Sequence, residues 1–162
     1  MNVLTPSDKI PDDLGPSIFL VGPTPRSKDV GSWRKLALSV LEGINFEGTV
    51  LIPEVLDAEE WNPVYAEQIE WEWKGLQSST VVAAWVPRKI DEGMPAFTTN
   101  VEFGMLLSDS RLIYGRPDWA EKCRYLDYVY KKVAREEPVN DLRRLMRLAK
   151  QRAEYFWENQ ND

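Results

Sequence analysis

Four short apolar runs, each stopped by proline or glycine and separated from the next by a helix-length segment, restrict this chain more than any other feature. They cover residues 17–21, 49–52, 80–86 and 111–114, and end at Gly22-Pro23, Pro53, Pro87 and Gly115-Arg116-Pro117. Short continuous apolar runs are the pattern of strands covered on both faces. Strands that alternate with helices pair in parallel through right-handed crossovers. The expected fold class is therefore α/β: a single three-layer domain of flavodoxin or Rossmann type, with a small, mostly parallel sheet flanked by helices. Residues 1–16 hold three prolines and read as an irregular lead-in, and 17–162 as the domain, C-terminal helices included.

The segments between the runs carry helix signals. Ser32 is placed to cap a helix over 33–43, and Asn62-Pro63 is a helix start that leads to about Gln77. Thr99 opens a helix to about Ser108, Asp118 with Glu121 has capping-box spacing ahead of a helix to about Val133, and a last helix covers 140–157.

In such sheets the ligand site lies beyond the carboxyl ends of the strands. The segments delivered there are 22–27, 53–61, 87–102 and 114–118. Composition narrows what they can do. The chain has no histidine and one cysteine, Cys123. Histidine-based catalysis, histidine-ligated metals, cysteine-rich zinc sites and an intrachain disulfide are all excluded. Carboxylates, hydroxyls, amides, Lys, Arg or backbone groups must carry any chemistry. The formal charge of −6 offers no general attraction to a nucleic-acid polymer. No window approaches about 18 apolar residues, so no membrane span is expected. The first residues carry no export signal, which makes the cytoplasm the expected location.

Two glutamates stand in unexpected places. At about 100° per residue from Tyr65, the side chains of Ile69, Trp73 and Leu76 fall within about 80° of one another and form an expected core stripe. Glu72 falls at about −20°, inside that stripe, while Glu70 points away. Glu72 is either a margin residue reaching solvent or a carboxylate facing a cavity. Gln68, one turn earlier, can hydrogen-bond and orient it. Trp71 lies off the stripe, exposed or at a subunit interface. The second glutamate, Glu102, closes a Thr99-x-x-Glu102 capping box at the ligand edge. It is either a cap or a functional carboxylate. A helix start there also offers free N–H groups, two hydroxyls from Thr98 and Thr99, and room at Gly104.

Other candidates are weaker. Gly22-Pro23-Thr24-Pro25 lacks the glycine spacing of either nucleotide-binding fingerprint. Arg26, Arg88 and Arg116 follow strand ends, where they can hold a phosphate or pair with local acids, as Arg88 can with Asp91 or Glu92.

Five segments in register carry a resemblance. Residues 18–23 (IFLVGP), 68–72 (QIEWE), 85–88 (WVPR), 98–104 (TTNVEFG) and 114–118 (YGRPD) resemble the nucleoside 2-deoxyribosyltransferase-like family. The Val-Glu-Phe-Gly element is similar to the helix start of the related nucleoside 5′-monophosphate N-glycosidases. The resemblance implies cleavage of the N-glycosidic bond between base and (deoxy)ribose, with Glu102 as nucleophile at C1′ and Glu72 as the second acidic residue. It places Gly22 and Pro23 against base or sugar, and Thr98 and Thr99 near the sugar's 5′ end. Gln68, Arg88, Asn100 and Arg116 complete the expected substrate-binding set. Three positions depart from the family's pattern: Glu72 stands where aspartate is usual, as do Thr80 and Ala96, and the usual tyrosine of the first loop is not evident.

The expected activity is glycosyl transfer or hydrolysis on a nucleoside or nucleotide through a retained glycosyl-glutamate, with no cofactor and no metal. Two alternatives stand beside it: a nucleoside 5′-monophosphate hydrolase, and a nucleotide-binding sensor or structural subunit without turnover. A small-molecule nucleoside or nucleotide is the expected partner. Self-association is also expected, from the seven tryptophans, the off-stripe Trp71 and an apolar stripe of Leu142, Leu145, Ala149 and Phe156.

Overall fold

The computed structural model describes residues 1–25, 30–56 and 64–160. Its elements run β1 (Asn2–Leu4), β2 (Ser17–Val21), α1 (Trp33–Gly43), β3 (Thr49–Leu51), α2 (Tyr65–Ser78), β4 (Val81–Trp85), α3 (Phe97–Leu106), β5 (Leu112–Gly115), α4 (Arg124–Val133) and α5 (Leu142–Gln160). The five strands form one sheet in the order β1-β3-β2-β4-β5, and every pairing is parallel. The α/β three-layer architecture follows from alternation within each strand. Ile18, Leu20, Val50, Ala83 and Ile113 face α1 and α5. Phe19, Val21, Leu51, Val82 and Tyr114 face α2, α3 and α4.

The chain leaves neighbouring strands β2 and β4 for opposite faces. Ala37 and Leu41 of α1 pack on one side and Phe103 of α3 on the other. The loops at the carboxyl ends of β2 and β4 therefore diverge and leave a crevice at this topological switch point.

Several local expectations are corrected. The lead-in holds β1, which pairs Asn2 with Thr49 and Leu4 with Leu51. Three residues beside prolines carry no period, and it is the open edge of β3 that makes them a strand. The α2 stripe is rotated: Tyr65, Ile69 and Trp73 are exposed, while Gly75 and Leu76 are buried. Trp71 turns inward, 6.1 Å from the Phe19 ring, and its Nε1 donates to Asp8 O. The lead-in folds over α2 and covers the face that amphipathicity assigned to solvent. The stripe of Leu142, Leu145 and Ala149 is buried against the sheet, with Phe156 packed at its edge. It therefore no longer argues for self-association. The Asp118–Glu121 box does not form. Glu121 accepts from Ile90 N and Asp118 from Asn140, so α4 begins only at Arg124. The helix start at Asn62-Pro63 lies outside the described residues.

Helix α2 reaches the sheet because Gly75 has no side chain: an added Cβ would lie 2.6 Å from the Phe19 ring. Gly104 of α3 is the contrast, since a Cβ there meets nothing within 4 Å. Gly75→Ala should lower unfolding free energy by about 1–3 kcal/mol despite its better helix propensity. Gly104→Ala should raise it by up to about 1 kcal/mol. Urea denaturation measures both, and a stabilised Gly75→Ala would contradict this packing.

Candidate active site

The floor of the crevice is built by the first turn of α1. Ser32 caps the helix by accepting from Arg34 N, as its position in sequence suggests, and donates its hydroxyl proton to Glu54. Trp33 Nε1 donates to Pro23 O at 3.0 Å. Arg34, with no exposed surface, donates to Leu20 O, to Gly22 O at 2.8 Å and to Thr24 Oγ1, and pairs with Glu54 at 3.4 Å. One side chain thus satisfies the carbonyls at the end of β2 and fixes the following loop. Gly22 has to be glycine there, since a Cβ would lie 2.2 Å from Trp85 O and 2.6 Å from the Trp33 ring. Neither Arg34 nor Glu54 was singled out from sequence. The available signal was the 34–37–41 spacing, which puts Arg34 on the buried seam of α1 with Ala37 and Leu41.

Above this floor lies a cavity of about 260 Å³ lined by Gly22–Pro25, Pro53, Tyr65, Gln68, Ile69, Glu72, residues 95–99 and Glu102. Glu72 comes from α2 and accepts from Gln68 Nε2 at 2.7 Å. Glu102 comes from α3. Burial pushes the Glu102 carboxyl up from 4.5 to about 7, helped by the nearby Glu72 charge and opposed by Arg34. Burial also raises Glu72, against the Gln68 hydrogen bond and the Arg34 charge that favour its ionised form. Arg34 is held below its ordinary value by burial, with Glu54, Glu102 and Glu72 as the opposing charges. Two carboxylates held close in a low-dielectric cleft resist ionising together, which separates them into an ionised and a protonated role.

The entry into α3 aims this arrangement. Backbone hydrogen bonds between Lys89 and Met94 close the preceding loop. Ala96 then adopts the left-handed region, φ 57° and ψ 42°, at a cost of about 1 kcal/mol for a non-glycine residue. The helix starts at Phe97, two residues before the expected Thr99, and has no side-chain cap. Thr99 is its third residue, so Thr99 and Glu102 make no capping box. The cap reading of Glu102 is removed, and the free N–H groups of the first turn open on the cavity.

Of the expected substrate-binding residues, Gly22, Pro23, Gln68, Thr98 and Thr99 line this cavity with both glutamates. Arg88, Asn100 and Arg116 do not. Arg88 donates to Lys122 O and Asn100 Oδ1, on the far side of α3, while Glu92 pairs with Lys89. Arg116 forks onto Asp127 at 2.7 Å. Gly104 faces that far side as well. Thr80 bonds Ser17 at the amino ends of the strands, away from the cavity, so the departure there does not touch the site. Arg26 lies outside the described residues.

Residues 15–123 match the family described as nucleoside 2-deoxyribosyltransferase like. The chain belongs to that family. The matched span holds Arg34, Glu54, Glu72 and Glu102, while β1, α4 and α5 lie outside it. At the coarse level family membership gives, the function is nucleoside deoxyribosyltransferase-like. No curated protein matches the chain.

Two outcomes test the electrostatics. Below its ordinary value of 4.5 Glu102 is protonated in folded and unfolded chain alike; between 4.5 and about 7 only the folded chain keeps the proton. Stability is therefore full at low pH and falls as pH rises through that window. Glu102→Gln should be more stable than the parent by on the order of 1–3 kcal/mol at about pH 8, with no difference at about pH 4. Calorimetry at both pH values checks it, and a gap that widens on acidification would contradict the buried carboxyl. Arg34→Met strands Glu54 and the Gly22 carbonyl, so it should destabilise the fold by about 3–5 kcal/mol, read by chemical denaturation.

Proposed function

We propose that the chain cleaves and transfers the N-glycosidic bond of a nucleoside, with Glu102 as nucleophile. The observation that carries this reading is the meeting of Glu72 and Glu102 in one cavity at the switch point, over a fixed cation. In the first step the Glu102 carboxylate bonds to C1′ as the C1′–N bond breaks, and the electron pair leaves with the base. The Glu72 carboxyl supplies a proton to that base. The sugar is then held as an ester on Glu102. In the second step an incoming base gives its proton to Glu72, attacks C1′ and releases the Glu102 carboxylate. Two inversions give retention, and water as the acceptor gives hydrolysis. The open N–H groups of α3 with the Thr98 and Thr99 hydroxyls suit sugar oxygens. Pro23, Pro25, Pro53 and Phe97 offer apolar surface for a base.

The described lining of the cavity contains no basic side chain. That favours a neutral nucleoside over a 5′-monophosphate. Two carboxylates kept at a stability cost favour turnover over a silent sensor. Self-association belongs to the same proposal. Its support is now the exposed face of Tyr65, Ile69 and Trp73 on α2 with Phe97, Val101 and Met105 on α3, beside the cavity. Light scattering that gives a monomer at micromolar concentration would refute it.

Liquid chromatography of a nucleoside panel, with and without an acceptor base, tests the activity. Exchanged nucleoside marks transfer and free base alone marks hydrolysis. Glu102→Ala should lower turnover by at least about 10³-fold, and Glu72→Gln by about 10²-fold. Activity should fall as pH drops below about 7 and Glu102 protonates, and survive excess EDTA. An active Glu102→Ala would sink the assignment.

A further inference from the structure

A second cavity, about 390 Å³, opens behind α3, between it and α4. Its walls are largely apolar, with Phe103, Leu107, Tyr125 and Val129, and Gly104 leaves its α3 side open. Arg88 lines it too, at 5% exposure. Arg34, Arg111, Arg116 and Arg152 each hold a carboxylate. Arg88 has none among the described residues. Its two hydrogen-bond acceptors are neutral: the Lys122 carbonyl at 3.0 Å and the Asn100 amide oxygen. Its Nε is shut off from solvent and donates to nothing among the described residues. A buried guanidinium with no counter-charge is costly, and an anion brought into the cavity beside its terminal nitrogens relieves that cost.

We propose that the α3–α4 cavity is a second ligand site, for a small monocarboxylate whose oxygens meet Arg88 and whose apolar body lies along Phe103, Leu107, Tyr125 and Val129. A planar carboxylate matches the guanidinium fork in charge and shape. The apolar walls match a hydrocarbon or aromatic body and leave a doubly charged phosphate without partners. The site is separate from the Glu72–Glu102 cavity and does not depend on the activity proposed there.

Phenylacetate is the probe, titrated into the full chain and followed by amide shifts of Gly104, Leu107 and Tyr125. Saturable binding in the millimolar range is expected for the parent and equally for Glu102→Gln. Neutral phenylacetamide and inorganic phosphate should bind at least about tenfold more weakly. Gly104→Leu fills the cavity from its α3 side and leaves Arg88 in the chain, and should weaken phenylacetate by a similar factor, as should Arg88→Met. If Arg88→Met fails to fold, Gly104→Leu and the phenylacetamide comparison decide alone. No saturation at millimolar phenylacetate, equal binding of the amide, or unchanged affinity in Gly104→Leu would each overturn the proposal.

Discussion

The Arg34 guanidinium, buried without exposed surface at the carboxyl end of β2, is the interaction on which the rest of the site depends. A cation so placed must be paired and fully hydrogen-bonded or it would unfold the domain. Glu54, Leu20 O, Gly22 O and Thr24 meet that demand, and in doing so they fix the loop that floors the cavity. The same charge is what the two cavity carboxyls feel from below. It favours their ionised forms, while burial favours the protonated ones and the Glu72 charge adds to that at Glu102. The balance leaves the Glu102 carboxyl titrating at about 7, where a small change in surroundings decides whether it is ionised or protonated.

Parallel topology supplies the geometry for this balance. Because α1 and α3 leave adjacent strands for opposite faces, the helix that carries Glu102 starts across a gap from the loop that Arg34 holds. The left-handed Ala96 and the absent cap at α3 are local costs of that placement. Strain and uncapped donors gathered at one helix start are what a site keeps when function opposes stability. The opposite face of the same helix meets α4 at Arg88, so α3 separates two cavities of different chemistry, one acidic and one basic.

Much of this was legible in the residues. The positions of β2 to β5, α1 and its Ser32 cap, the parallel pairing and the Glu72–Gln68 hydrogen bond all follow from local signals: apolar runs, capping chemistry and one-turn spacing. What was not legible depends on contacts distant in sequence. The rotation of α2 is set by the lead-in, whose Asp8 carbonyl receives Trp71 Nε1 from 63 residues away. The start of α3 is set by the loop closed between Lys89 and Met94, not by the threonines whose spacing imitates a cap. Arg88 and Arg116 sit at strand ends as expected, but each is drawn away from the cavity by a partner that no local pattern names. Arg34 escapes a local reading because an arginine on a helix normally reads as solvated, and only its seam position contradicts that.

The central claim is that Glu102 bonds to the sugar. Its most direct measurement is peptide mass spectrometry of the protein acid-quenched during turnover of a 2′-deoxynucleoside without acceptor base. One deoxyribosyl group on the peptide that carries Glu102 is the expected result. Release of free base with that peptide unmodified at every time point, or with the sugar on another residue, would contradict it.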